Sequence, residues 1–294
     1  MNAPLGTRVL RSLLLSVPLL AASFVVVTPA ADAASPTPVS LGTADPFAIL
    51  AGTPAITNVP NSVITGNVGL SPATGAGIGV TCSEVTGTIY SVDAAGPLPC
   101  RVTDPALLTL AKNNLTAAYT DVAGRTPVST VATELGGTTK TPGVYDSAST
   151  TFGITAGAGP LILDAQGDPN GGFIFEMGAG GTGLTAGPGS QVQLRGRAQA
   201  CNVFWRLTSA TIDTTAVFKG NILALTSITV NAGANIEGRL LARNGQVTLI
   251  QDTITRSVCA ASPIPPGIPA APAAPGTPAA PPAPAVPAVP TFTG

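Results

Sequence analysis

The 294-residue chain contains no histidine, and its four cysteines include no C-x-x-C pair. Without either kind of ligand set, a zinc site is excluded. Charge is scarce too: Asp, Glu, Lys and Arg make up 9% of the residues, where about 25% is usual. There is no basic patch to hold phosphates, so nucleic acid is excluded as a partner. The acids are scattered, and most fall in turns, so no clustered carboxylates point to polysaccharide cleavage. No catalytic group or cofactor site is visible, no small-molecule substrate is expected, and the chain reads as a non-enzyme. What covers the surface instead is Thr, Ser, Asn, Gly and Ala, which implies a large neutral face. Beyond the N-terminus, no segment is long and apolar enough to span a bilayer.

The N-terminus reads as a secretory signal over residues 1–33. Arg8 and Arg11 form the positive region, residues 13–27 the apolar region, and Ala31-Asp32-Ala33 the cleavage site. Removing Arg8, Arg11 and Asp32 from the 13 basic and 14 acidic residues leaves 11 and 13, a net charge near −2. Export to an oxidising compartment gives Cys82, Cys100, Cys201 and Cys259 a disulfide role. Three connectivities are possible. Cys82–Cys100 with Cys201–Cys259 is favoured, because the first brackets one short loop and the second ties the start of a repeated region to its end. Residues 262–294 are almost entirely Pro, Ala, Gly and Val, a tail without a core that is expected to be disordered or PPII-like. It fits a spacer, or an arm associated with the cell wall.

Residues 34–261 form the folded domain, and its strongest signal is a repeat. Segment 210–222 recurs at 228–240, an offset of 18 residues that aligns Ile212 with Val230, Phe218 with Ile236 and Gly220 with Gly238. A third pass starts one residue late, with Val247-Thr248-Leu249 matching Ile228-Thr229-Val230. So short a period suits one coil of a β-solenoid with three short strands per turn. Two small units recur. One is apolar-x-Gly-x-apolar, at 64–68, 85–89, 218–222 and 236–240; the other is apolar-polar-small-small-small, at 154–158, 184–188, 212–216 and 230–234. Lys219 over Glu237 is expected to pair across adjacent coils. One helix stands apart at about 105–123. Asp104 is its N-cap and Pro105 its first residue, Leu107, Ala111, Leu115, Ala118, Tyr119 and Val122 form its stripe, and Gly124 ends it. That stripe must cover one flank of the coil stack. Asp168-Pro169-Asn170-Gly171 reads as a turn, and Phe204 and Trp205 as packing residues.

Several segments carry a family resemblance: Leu41-Gly42-Thr43-Ala44-Asp45-Pro46-Phe47-Ala48-Ile49-Leu50-Ala51-Gly52, Leu163-Asp164-Ala165-Gln166-Gly167-Asp168-Pro169-Asn170, Ala200-Cys201-Asn202-Val203-Phe204-Trp205 and Gly238-Arg239-Leu240-Leu241-Ala242-Arg243-Asn244-Gly245. Across 39–256 the chain resembles ice-binding proteins of the DUF3494 type. The resemblance implies a mainly β protein, a discontinuous right-handed β-helix of triangular section with one long α-helix packed alongside. It also implies that a flat face of Thr, Ser and Ala adsorbs to an ice crystal surface, by a secreted, monomeric protein. The candidate face carries three columns: Thr211, Thr229 and Thr248; then Thr155, Thr185, Asp213 and Asn231; then Thr214 and Ala216 with Ala232 and Ala234. A T-[AG]-x-[TN] motif recurs on the ice face of active family members. Its nearest equivalents here, at 156–159, 186–189, 214–217 and 232–235, mostly lack the leading Thr, and Pro188 would roughen the face. Weak to moderate activity is expected. A cell-surface adhesion or matrix protein, binding glycan or another cell through the same face, is the alternative.

Overall fold

The computed structural model describes residues 35–260, apart from 127 and 178–181. The signal segment expected at 1–33 and the tail expected at 262–294 lie outside the described residues. Within them the chain coils into a parallel β-helix with three faces. The first face runs through Val128–Val131, Gly143–Ser147, Phe173–Glu176, Val203–Leu207, Val217–Ala224, Asn235–Ala242, Phe47–Ala51, Asn67–Leu70, Ile89–Ser91 and Arg101–Thr103. The second is a six-stranded sheet of Thr151–Ile154, Gly183–Ala186, Ser209–Ile212, Ile228–Val230, Val247–Ile250 and Ile56–Val59. The third combines Thr139–Lys140, Leu161–Asp164 and Val192–Arg195 with Thr253–Thr255, Val63–Thr65, Val85–Thr86 and the first halves of Val217–Ala224 and Asn235–Ala242.

Those two long strands serve two faces because they bend at glycine. Gly220 and Gly238 pair in register and have φ of 117° and 157°. A Cβ on Gly238 would lie 1.8 Å from the Gly220 carbonyl oxygen, so no side chain fits at this corner. The recurring apolar-x-Gly-x-apolar unit is therefore the corner between the third and first faces. Its apolar residues Phe218, Ile222, Ile236 and Leu240 are fully buried inside the coil. An aromatic group packs inside the core: Trp205 stacks on Phe175 at 4.0 Å between centroids, with Phe152 edge-on to both.

The helix Pro105–Ala123 is capped as expected, with the Asp104 carboxylate accepting from the Leu107 N–H at 2.9 Å. Its buried stripe is Leu108, Ala111, Leu115, Ala118, Tyr119 and Val122, with Leu108 taking the place expected for Leu107. The stripe lies on the outward apolar residues of the first face, Leu50, Val144, Ile174, Phe204, Leu223 and Leu241. The helix thus covers the middle of that face.

The coil order breaks the chain order. Phe47–Ala51 inserts beside Asn235–Ala242, pairing Ile49 with Leu240, and the coils built from residues 47–103 continue the stack that residue 255 ends. The helix carries the chain back, so that Val128–Val131 starts the opposite end. Both favoured disulfides are formed, Cys82–Cys100 and Cys201–Cys259. Lys219 pairs with Glu237 at 2.8 Å. Asp168 accepts from the Asn170 N–H, as an Asx turn does.

Asp252 sits in the joint between the two halves of the stack. Its carboxylate accepts from the Ala234 and Ile250 N–H groups, and its own N–H donates to Ser62 Oγ. Burial pushes its carboxyl up to about 6, against the lowering effect of those N–H groups. The folded protein then holds a proton that the unfolded chain releases from about pH 4 upward, so stability falls as pH rises through about 6. Two pH units correspond to roughly 3 kcal/mol. Nearby Glu84 works in the opposite sense: burial raises its carboxyl, but the Thr81, Asn58 and Asn61 hydrogen bonds outweigh that and leave it lowered. Chemical denaturation from pH 4 to 7 should show a decline in wild type that Asp252→Asn flattens. Parallel slopes in the two proteins would rule this role out.

Candidate functional site

With the first face covered by the helix, the second face is the open surface that carries the repeat. Its central column is in register through six strands: Gly153, Thr185, Thr211, Thr229, Thr248 and Thr57. The residues between these point inward, so Ile212, Val230 and Leu249 are buried while the threonines are not. Adjacent members of the column are spaced by the strand separation of about 4.8 Å. Thr is β-branched and holds few rotamers, so each hydroxyl and methyl is set in place before any ligand arrives. The Thr185, Thr211 and Thr229 hydroxyls have no protein partner among the described residues. Thr57 donates to Thr248 at 3.0 Å.

Thr57 is missing from the expected columns. It follows Thr248 in space but lies 191 positions away in the chain, so no repeat search along the sequence would align them. Thr185 needs a correction. It stands in the column with Thr211, and Gly187 occupies the place expected for it beside Thr155 and Asp213. Pattern matching pairs Ile154 with Leu184, whereas the structure pairs Phe152 with Leu184 and Ile154 with Ala186. A two-residue slip preserves which side chains face inward, so the apolar alternation does not detect it.

Ala216 and Ala234 are also corrected. Both were expected on the outer face, but each is 1% exposed. They follow a corner turn that passes through left-handed backbone at Thr215 (φ 58°) and Gly233 (φ 74°), and the turn sends the next residue into the core. The equivalents of the T-[AG]-x-[TN] motif thus lie at this corner, with Thr214 exposed and Ala232 partly exposed at its rim. Thr155, Asp213 and Asn231 border the central column on that side.

Two carboxylates reach this face, and both are tied down. Glu134 bridges to Gly153 at the end of the central column, and accepts from the Thr155 hydroxyl and N–H and the Gly136 N–H. Burial pushes its carboxyl up, but these bonds win and hold it below the usual range. Asp213 is held low by the Thr214 N–H first, then by the Asn231 amide at 3.0 Å. The third face is different. At one end it carries Arg195 beside Asp164 and the Lys219–Glu237 pair.

The Ice-binding-like family profile matches residues 49–255. An ice-binding protein of Flavobacterium frigoris (strain PS1) is 42% identical over 221 residues, which cover 74% of this chain and 76% of that one. An ice-binding protein from a Colwellia species is 41% identical over 226 residues, covering 76% and 85%. The crystal structure of an ice-binding protein from an Antarctic biological consortium superposes with a TM-score of 0.67 at 37% identity. It covers 77% of this chain and 95% of that one. The DUF3494 domain of Shewanella frigidimarina ice-binding protein 1 gives the same TM-score at 31% identity, covering 76% and 99%.

Proposed function

The chain belongs to the Ice-binding-like family, and from that premise we infer that it adsorbs to ice through the six-stranded face bearing Thr185, Thr211, Thr229, Thr248 and Thr57. The observation that carries the choice of face is the unbroken threonine column on an open sheet, with the middle of the first face covered by the helix. Fixed methyls and hydroxyls at a regular spacing can order a water layer that joins a crystal lattice. Ordered water bridging two surfaces is enthalpically close to a direct hydrogen bond. The rim residues Thr155, Thr214, Asn231 and Ala232 extend this contact. No catalytic group takes part. The expected leader and two disulfides support action outside the cell as a monomer, with the Pro/Ala tail as a link to the cell wall. The relatives carry ice-binding names, and the adhesion reading has no comparable support.

Adsorption is tested by thermal hysteresis of the disulfide-bonded protein together with crystal shape. Faceted crystals and a freezing gap are expected. Round crystals from folded protein would overturn the reading.

One charge stands beside the column at Asp213, whose carboxylate holds its own hydration there. Its Oδ1 alone accepts from the Thr214 N–H, the Thr214 hydroxyl and Asn231. Asp213→Asn keeps that acceptor and removes the charge. Thermal hysteresis should rise roughly twofold, because a carboxylate holds its hydration more tightly than an amide. An unchanged or lower gap in a folded variant would show that the charge does not limit binding.

A further inference from the structure

Around the corner from the threonine face, the third face changes character along its length. Its two outward columns are Val217, Asn235, Thr253 and Val63, and Lys219, Glu237, Thr255, Thr65 and Thr86. Past the Lys219–Glu237 pair, no charged side chain stands in either column. What remains is Asn235, Thr253 and Val63 beside Thr255, Thr65 and Thr86, all exposed. The hydroxyls of Thr253, Thr255, Thr65 and Thr86 have no protein partner among the described residues. The acids around the patch are paired or buried: Glu237, beside Thr255, pairs with Lys219, Asp45 pairs with Arg256, Asp252 is 1% exposed, and Glu84 is buried and bound by Thr81, Asn58, Asn61 and Ser62.

This patch is continuous with the ice-contacting face. The strand Ile56–Val59 closes the threonine face, and the corner at 60–62 leads directly into Val63–Thr65. Two large apolar side chains stand exposed on either side of that corner, Val59 at 46% and Val63 at 55%. Glu84 and Ser62 brace the corner from inside, with the Asn61 and Ser62 N–H groups donating to Glu84 at 2.8 and 3.0 Å. The two surfaces are therefore held at a fixed angle, and both repeat at the strand spacing of about 4.8 Å.

We propose that the uncharged end of the third face, centred on Thr253, Thr255, Thr65 and Thr86 with Val63, is a second ice-contacting surface. It engages a crystal plane inclined to the one held by the threonine face. The proposal rests on ice adsorption by the threonine face. It assigns the occupant as ice rather than a protein because the patch offers free hydroxyls in register, as the central column does. It also borders that column without an intervening charge. The residues that make it come from both halves of the chain, so the surface exists only where the stack is joined.

The test is plane-specific adsorption of the fluorescently labelled full-length protein to a single ice hemisphere. Wild type is compared with Thr255→Tyr, Thr65→Tyr and Thr229→Tyr, each checked for folding by its unfolding transition. Thr86→Tyr, on an edge strand, serves if Thr65→Tyr does not fold. Wild type is expected to mark two sets of planes. Thr255→Tyr and Thr65→Tyr should lose one set and keep the other, while Thr229→Tyr loses the complementary set. If the third-face variants mark the same planes as wild type while Thr229→Tyr loses adsorption, the second surface is overturned and the threonine face stands. If wild type marks no plane, the reading it rests on fails. If Thr255→Tyr instead abolishes a concentration-dependent dimer in sedimentation and leaves the planes unchanged, the patch is an interface between copies and the proposal is overturned.

Discussion

Thr229→Tyr removes most of the thermal hysteresis and leaves the unfolding temperature unchanged. Thr229 is flanked in register by Thr211 and Thr248 and is partly exposed, and its hydroxyl has no protein partner among the described residues. Tyrosine suits an exposed strand position, so the fold accepts it. The ring stands above the column and holds neighbouring threonines away from any flat lattice plane, so one substitution affects contacts it does not itself make. Thr211→Tyr should act equally, because it sits one coil away in the same column. Ala234→Tyr is a different experiment: Ala234 is 1% exposed, and a ring there disrupts packing rather than contact. A folded Thr229→Tyr protein with wild-type hysteresis would remove this face from consideration.

Asp45→Ala destabilises the fold by about 3 kcal/mol, the lower end for breaking a buried ion pair. Arg239 is 2% exposed, and burial pushes its guanidinium down to about 10 against the raising effect of Asp45. Its Nη2 donates to Asp45 Oδ1 at 2.6 Å and its Nη1 to Asn221 Oδ1 at 2.7 Å. Its Nε donates to the Asp45 carbonyl, which alanine retains. Asp45 is itself half exposed and also pairs with Arg256, so part of the lost interaction is already screened by solvent. The remaining cost is a guanidinium buried without its carboxylate. Combining Asp45→Ala with Arg239→Met removes that charge and should recover part of the loss in urea denaturation. A single-variant change under about 1 kcal/mol, or a double variant no better than the single, would show that this pair does not hold the N-terminal strand in place.

Much of the architecture is legible along the chain. The 18-residue offset aligns Gly220 with Gly238 and Ile212 with Val230, and the structure pairs both couples directly. The helix bounds follow from Asp104, Pro105 and Gly124 because caps are local chemistry. The candidate face is legible only in part. Thr211, Thr229 and Thr248 form a column as expected. Thr185 was displaced by a slip that the alternation of apolar residues cannot register, and Ala216 and Ala234 were misplaced because the chain turns inward after Thr215 and Gly233.

The sequence by itself determined the coil, its period, the glycine corners, the covering helix and the shortage of charge that leaves neutral faces. These properties depend on residues close together in the chain or repeated at a constant interval. Only the tertiary structure decided where the stack is joined. Phe47–Ala51 lies against Asn235–Ala242, and Thr57 extends a column that Thr248 would otherwise end. The same joint brings Val63–Thr65 beside Thr253–Thr255, and Asp45 to Arg239. Such contacts between distant segments have no constant offset, because the helix returns the chain to the far end before the second half is built. Their register is set by matching inward side chains and buried polar partners across the joint, which exist only once both halves are stacked.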